Sequence, residues 1–418
     1  MKKKIINLSI LILSAIVIGL LISMYQYLAH IVIHGSEVLL NSDTWIVVLG
    51  IVFSFVGIYY LFFINNRMPG YYGSGIPQFE AYQHWDYNIN PFKMIGLMLF
   101  NSLYAFFTCF LLGSEGPSIS IGASVGLIQN KITKSEDKEV VAVGGSAGFA
   151  CAFSSPLAGL VHLLEENKKI LSISLVLKGL LIISISFIIS YLLYPHSLLP
   201  YFEIKPLEFK NYYIFIPLII VCVLIARLFI IVNIGIKDFN KKYKIISYIT
   251  PILLIVFMLI SRYHPLLVGS GANLLNPTVV DYSLIIILGI LIFRLIGTAL
   301  SANASISGGI VLPTLALGAV SADLVAKVLG LINPEILAYT DILIICGMLT
   351  TFACVTKAPI TALILGLKCA SIKLIILPLI ITIGLSYLII ALFKCDNLYH
   401  KLEKRIPGYI KHNNIHSN

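Results

Sequence analysis

The first residue in this chain that could do chemistry is a glutamate inside an apolar half-chain. Glu115 sits in Gly113-Ser114-Glu115-Gly116-Pro117-Ser118, which opens one hydrophobic segment. A charge near the centre of a bilayer costs at least about 2.5–3.5 kcal/mol on insertion scales, so a carboxylate there points to a use. No Lys or Arg lies close in sequence to neutralise it. Gly and Pro on either side interrupt the helix, and irregular backbone at membrane depth persists only where protein or a water-lined cavity satisfies its amides. The stretch reads as an acid guarding a polar cavity.

Two further stretches share its design. Gly73-Ser74-Gly75 precedes Pro77, and Gly308-Gly309-Ile310 precedes Pro313, as Gly113–Gly116 precedes Pro117. Pro fits near a first helical turn because its missing N–H is not needed there. Each stretch therefore predicts a helix N-terminus with free backbone N–H groups, which attracts anions without a formal cation. Three such ends converging would make an anion site. The Ser74 hydroxyl suits either a ligand donor or an N-cap, and the two roles are compatible. Glu115 would then compete for that site: deprotonated it blocks the path, protonated it withdraws, and proton binding becomes linked to anion movement.

Other polar residues are weighed the same way. Glu165-Glu166 ends the segment that starts at Pro156, ten residues or about 15 Å of helix, enough to run from midplane to one surface. By themselves the two acids read as interfacial, although a proton bound for Glu115 needs such an entry station. His162 lacks the companions of a metal site and reads as a core histidine. Asp323 and Lys327, at i,i+4, suggest a helix-surface pair. Arg294, Lys357 and Lys368 lie in or near apolar runs, suited to tether loops, to snorkel or to draw anions inward.

The elements that must position these residues are membrane helices. Of 418 residues, 58% are hydrophobic and 11% charged, and the mean hydropathy is +0.96. A soluble protein of this size could not hide so much apolar surface, so the chain is polytopic. Met1-Lys2-Lys3-Lys4 and the apolar run to about Val32 imitate a secretory signal. The run is too long, however, and no small-residue cleavage site follows, so it is the first span. The net charge of +10 needs no nucleic acid partner. Lysines gather at the N-terminus, at Lys237 to Lys244 and from Lys401 to Lys411, which places both termini in the cytoplasm. Seven scattered cysteines without a CxxC pair read as small core residues, with no metal and no disulfide framework.

Long apolar segments are expected at about 5–33, 45–64 and 170–194. Between them the runs at 94–112, 117–130, 140–154 and 156–164 are short or interrupted, as in re-entrant or broken helices. The second half then repeats the first. Gly73-Ser74-Gly75 returns as Gly269-Ser270-Gly271, and Gly113 with Pro117-x4-Gly122 returns as Gly309 with Pro313-x4-Gly318, both 196 positions on. Gly144, Ala150-Cys151 and Pro156 return 203 positions on as Gly347, Ala353-Cys354 and Pro359. Repeats with Gly/Pro-broken segments at matching places point to a transporter whose substrate sits where the broken helices meet. The organisation expected is a first repeat half over 1–195, a linker at 196–212, a second half over 213–394, and a final helix and short tail over 395–418.

The ordered set Gly-Ser-Gly-Ile-Pro (73–77), Gly-x-Glu-Gly-Pro (113–117), Gly-Phe-Ala-x-Ala-Phe-x-x-Pro-Leu-Ala-Gly (148–159), Gly-Gly-Ile-x-x-Pro (308–313) and a late Tyr399 resembles the CLC chloride channels and proton-coupled chloride exchangers. The resemblance covers nearly the whole chain. It implies an all-α fold of two inverted repeats with broken or re-entrant helices, and a homodimer with one anion path per subunit. It implies that Ser74 and Tyr399 hold the central chloride, and that backbone at Gly113, Ser114, Gly116, Gly309, Ile310 and Val311 completes the chloride sites. Glu115 takes the place of the gating glutamate. Glu166 falls where exchangers carry their inner proton-transfer acid and channels usually do not. Ser74, where a Pro would favour nitrate, suits chloride, and the intact Gly-Ser-Gly-Ile-Pro argues against the fluoride-exporting branch.

Some positions depart from the family pattern. Ser114 stands where Lys or Arg is usual, Val311 where Phe is usual, and Lys368 where Glu is frequent; Ser305 and Ser307 lie in a loop usually richer in Gly and Pro. The stop at Asn418, without paired nucleotide-binding regulatory domains, leads to the expectation of a prokaryotic member in the plasma (inner) membrane. The function expected is chloride/proton antiport, with membrane lipid as surroundings and no cofactor. Its rivals are a passive chloride channel of the same fold and a carrier for another anion, the latter lacking an arginine clamp near the broken helices. An enzyme is disfavoured because no metal-ligand spacing, Ser/His/Asp arrangement or phosphate loop occurs.

Overall fold

A helix that is apolar on every side is held by lipid and by neighbouring helices, with no water-facing stripe to orient it. Helices α1 (Lys2–Leu40) and α2 (Thr44–Arg67) are of this kind. A computed structural model describes residues 2–68, 70–167, 171–243, 245–276, 281–393 and 396–406. After α2 come the short α3 (Ile76–Trp85), then α4 (Pro91–Phe107), α5 (Glu115–Thr133), α6 (Lys138–Ala152), the half-length α7 (Pro156–Glu166) and α8 (Ile173–Leu193). The second half holds α9 (Phe215–Tyr243), α10 (Ile245–Tyr263), α11 (Leu284–Ala302), α12 (Val311–Ile332), α13 (Thr340–Thr356), the eight-residue α14 (Pro359–Gly366), α15 (Ile372–Leu392) and α16 (Leu398–Glu403). Eight helical stretches among the described residues are long and apolar enough to cross a bilayer. The architecture is all-α, in two inverted repeats with broken helices.

The inversion is visible in which ends meet. Ser186 donates to the Ala15 carbonyl at 2.8 Å, and Tyr194 packs on Tyr27 with ring centroids 5.6 Å apart, so α1 and α8 run side by side in one direction. Their N-termini lie at the end of the molecule where α7 finishes. Helix α9, the opening long helix of the second half, instead finishes at that end, where Asp238 pairs with Arg405 just beyond α16.

Four glycines set close crossings in both halves. A Cβ on Gly122 would strike the carbonyl of Gly144, and one on Gly318 would strike that of Gly347. These are the repeat partners read from the sequence. They let the backbones of α5 and α6, and of α12 and α13, touch as small residues allow in membranes.

The two half-helices α7 and α14 lie antiparallel, and each is followed or ended by a side chain that caps a helix of the other half. Glu165 accepts from the backbone N–H groups of Ile360 and Thr361 at 2.8 Å each, and from the Thr361 hydroxyl at 2.5 Å, capping α14. Lys368, 203 positions later, donates to the carbonyls of Phe153 and Ser154 at 2.9 and 2.6 Å, closing the end of α6. A carboxylate at a helix start and an ammonium at a helix end both suit the helix dipole. Lys368 is thus a loop tether. Arg294 is another, fully buried and donating to the carbonyls of Leu266, Val268 and Gly269 at 3.0–3.1 Å.

One expected contact is absent. Asp323 and Lys327 do not form a surface pair: Asp323 is completely buried, and its carboxylate oxygens have no hydrogen-bond partner among the described residues. Most of α12 around it is buried, so position 323 has no water-facing surface on which such a pair could form.

Candidate functional site

The site grows from one backbone junction. The loops before α5 and α12 meet where Gly113 donates to the Gly309 carbonyl at 2.8 Å and Gly309 donates back at 2.6 Å. Each glycine pairs with its own repeat mate, so the pseudo-twofold relation between the halves passes through this junction. Alongside it, Gly73 donates to the Ile306 carbonyl at 2.9 Å and Gly308 donates to the Gly73 carbonyl at 3.1 Å, tying the loop before α3 into the same knot. The N–H groups of Gly113 and Gly309 are therefore engaged with each other. A helix cannot satisfy its first-turn amides itself; those of α5 and α12, from Ser114 to Gly116 and at Ile310 and Val311, remain the groups suited to a ligand.

The expected residues converge closely. A Cβ on Gly116 would lie 2.9 Å from both the Gly309 Cα and the Ser74 Cβ, so three chain segments touch at one point. Glu115, the first residue of α5, is fully buried, and no side chain among the described residues hydrogen-bonds its carboxylate. Its head group lies so close to Gly113 and Gly309 that a Cβ on either would meet it. Burying a carboxylate in this way is costly, and the glycines are what make room for it.

Cavities approach Glu115 from two ends. One, of about 540 Å³, is lined by Gly113, Ser114, Leu312, Gln26 and His196 among others. A smaller one, of about 120 Å³, is lined by Val311, Tyr399, Glu166, Glu80 and His162. Helix α8 starts beyond α7, beside the smaller cavity, and ends at Tyr194 and His196 beside the larger one. Its 21 residues give about 31 Å between the two ends. Glu115 lines neither cavity; it stands between them. Tyr399 is buried, and its hydroxyl has no hydrogen-bond partner among the described residues. Glu166 ends α7 and shares the smaller cavity with Tyr399.

Residues 61–391 match the family described as voltage gated chloride channel. The chain belongs to that family. Among curated relatives of the family, the H(+)/Cl(-) exchange transporter ClcA of Vibrio campbellii is 27% identical over 426 residues, covering 95% of this chain and 89% of the relative. The ClcA of Vibrio parahaemolyticus is 28% identical over 437 residues, covering 95% and 90%. Of solved structures, a slow cyanobacterial Cl-/H+ antiporter superposes with a TM-score of 0.82 at 21% identity, covering 96% of this chain and 97% of that one. A CLC-type fluoride/proton antiporter gives 0.73 at 16% identity, covering 94% and 96%. At these identities the superpositions show the fold alone.

Gln26 and Glu80 escaped the sequence reading, and Ser114 and His162 have surroundings it did not show. Ser114, where the family usually has a cation, joins a neutral ring: its hydroxyl donates to Gln26 Oε1 at 3.0 Å, Gln26 Nε2 donates to Ser118 at 3.1 Å, and Ser118 donates back to the Ser114 carbonyl at 2.9 Å. Gln26 gave no signal beyond being polar inside a long apolar run. Glu80 faces Glu166 across the smaller cavity. It is signalled by spacing, because Ile76, Glu80 and His84 recur every four residues and line the same wall. His162 stacks on Phe149 with ring centroids 4.4 Å apart and borders that cavity, so it is a wall residue more than a core one.

Proposed function

We propose that the protein exchanges chloride for protons, with Glu115 as the group that both ions must move. The observation that carries this reading is a buried carboxylate sealed between two cavities and pressed against glycines at the meeting of helix starts. An anion path lined by backbone amides needs no fixed cation, and a carboxylate can hold the anion's place until protonated. Chloride enters from the larger cavity past Ser114, rests near Ser74, Ile310 and Val311, and leaves past Tyr399. Protons reach Glu115 from the smaller cavity, with Glu166 as the first relay. The name of the ClcA relatives supports the same pairing of ions.

The smaller cavity is assigned to the cytoplasmic face of a bacterial inner membrane. Lys2 to Lys4 begin α1 at that end, and Lys237, Lys241 and Lys242 close α9 there. The assembly is assigned as a homodimer of independent pathways, in keeping with the family.

Val311 favours a second reading, a passive chloride path, because a small side chain at the cavity wall constricts the route little. Vesicles loaded with purified protein separate the two. Antiport predicts that an imposed chloride gradient drives protons uphill, and that Glu166→Ala stops the protons while chloride still flows. Chloride flux without proton movement in the unmodified protein would sink the antiport reading.

A further inference from the structure

The seam between α3 and α16 carries a cluster that the transport reading leaves unused. His84 Nδ1 lies 3.0 Å from Glu403 Oε1, and His400 Nδ1 lies 3.0 Å from Glu403 Oε2. One ligand-type atom from each of the three residues falls within 4.8 Å of the other two. The Glu403 side chain is only 2% exposed, whereas those of His84 and His400 are 35% and 43% exposed. Two neighbouring cations are engaged elsewhere: Arg405 with Asp238 at 2.5 Å, and Lys404 with Asp396 at 4.0 Å. A nearly buried carboxylate thus looks out toward water through two imidazole nitrogens.

We infer that His84, His400 and Glu403 bind a divalent first-row transition metal, for which Zn2+ is the probe. Two imidazoles and one carboxylate are a donor set that such ions favour, and three protein ligands leave a fourth position for water on the exposed side. Around a tetrahedral Zn2+ with bonds of about 2.0–2.1 Å, ligand atoms sit about 3.3 Å apart. The two nitrogen–oxygen separations are already close to that value, so the metal takes the place of the protons now shared between imidazole and carboxylate. The two half-exposed rings can turn to bring their nitrogens together without backbone movement. Trp85 Nε1 donates to Glu403 Oε1 at 3.1 Å, the outer hydrogen bond that orients a ligating carboxylate.

The site ties two particular elements together. Helix α3 begins just after Ser74, and α16 holds Tyr399 one turn before Glu403. His84 and Tyr399 line the same cavity. On the transport reading above, a metal here pins the cavity mouth and slows anion passage.

The test uses the full chain in detergent and in vesicles. Zn2+ titrated calorimetrically into metal-free protein should bind at one equivalent per chain. Both His84→Gln and His400→Gln, which keep a hydrogen-bond donor beside Glu403, should weaken that binding by at least about tenfold. Absence of stoichiometric binding, or equal affinity in the double variant, overturns the site. In vesicles, Zn2+ on the α16 side should slow chloride flux in the unmodified protein and not in the double variant. If Zn2+ binds as described but leaves flux unchanged, the coupling to the anion path is overturned and the metal site stands.

Discussion

Beneath the first Gly-Ser-Gly loop stands Met98, and 196 positions later, beneath the second, stands Arg294; a Cβ on Gly75 would meet the one and a Cβ on Gly271 the other. The loop carbonyls they serve also match. In the first half Gln78 donates to the carbonyls of Gly70 and Tyr72 at 3.1 and 2.9 Å. In the second half Arg294 donates to the matching pair, Leu266 and Val268, and to Gly269. One backbone plan is thus stitched by a neutral amide on one side and by a buried cation on the other. The first loop runs into the ten-residue helix α3; the second runs only into a 3-10 turn, Ala272–Leu275. The half with the neutral stitch is the one whose serine faces the junction. A fixed cation directly under that serine would hold an anion too firmly for turnover, whereas a helix start attracts it with partial charge alone. The same division recurs at the proposed gate, where Glu115 in one half answers to Val311 in the other.

If the asymmetry at the gate is what couples the two ions, removing it should have the largest effect. Glu115→Gln gives the first half a permanently neutral side chain of the same shape. Proton transport should fall to background while chloride flux persists and loses its pH dependence, measured as paired chloride and pH traces across vesicles. A steep pH response of chloride flux in that variant would place the gate elsewhere.

The stitches come next. Arg294→Met copies the first half into the second and leaves three carbonyls without their donor. At about 1–3 kcal/mol for each buried polar group left unpaired, the loss should be at least about 3 kcal/mol. It should appear as a fall in melting temperature in detergent, larger than that for Gln78→Leu, which orphans two. Falls in a ratio near three to two would mean that the cation adds nothing beyond its hydrogen bonds, and equal falls that its third carbonyl bond contributes nothing.

How far this was legible from the residues depends on the kind of signal. Gly and Pro mark places where backbone must bend or touch, so the offsets of 196 and 203 located both halves, and the Gly113–Gly309 contact turned out to join two repeat mates. The buried position of Glu115 between two cavities was legible in outline, because lipid penalises a carboxylate in an apolar run heavily and so marks it out. Gln26 and Gln78 were not, because a polar residue on a helix declares its partner only after the helices pack. Asp323 misled for the same reason: i,i+4 spacing signals a pair only where that face of the helix meets water, and here it meets helices. Lys368 looked like a loss of acid at its position, yet it is the repeat mate of Glu165, and each caps a helix of the opposite half.

That last exchange supports a smaller prediction. Glu165→Ala removes the acceptor of two backbone N–H groups at the start of α14, a loss comparable to an N-cap and worth about 1–2 kcal/mol. Glu166→Ala, one residue on, should change stability less and proton transport more. Thermal melting and proton flux measured on both variants would collapse the distinction if they moved together.

The smallest effect is expected at Ser114. Its ring with Gln26 and Ser118 fills, with neutral groups, the place where a cation would otherwise face the larger cavity. A cation at such a mouth raises the local anion concentration, and that attraction is screened by salt. Ser114→Lys should therefore raise chloride flux severalfold at low ionic strength and hardly at all at high ionic strength, with the coupling ratio unchanged because Glu115 is untouched. Ser114→Ala should leave flux near its original value, since it removes a hydroxyl whose bond runs to Gln26 and away from the junction. If Ser114→Ala instead cuts flux as deeply as Glu115→Gln cuts proton transport, the hydroxyl itself meets the anion, and the first half contributes a second side-chain donor beside Ser74.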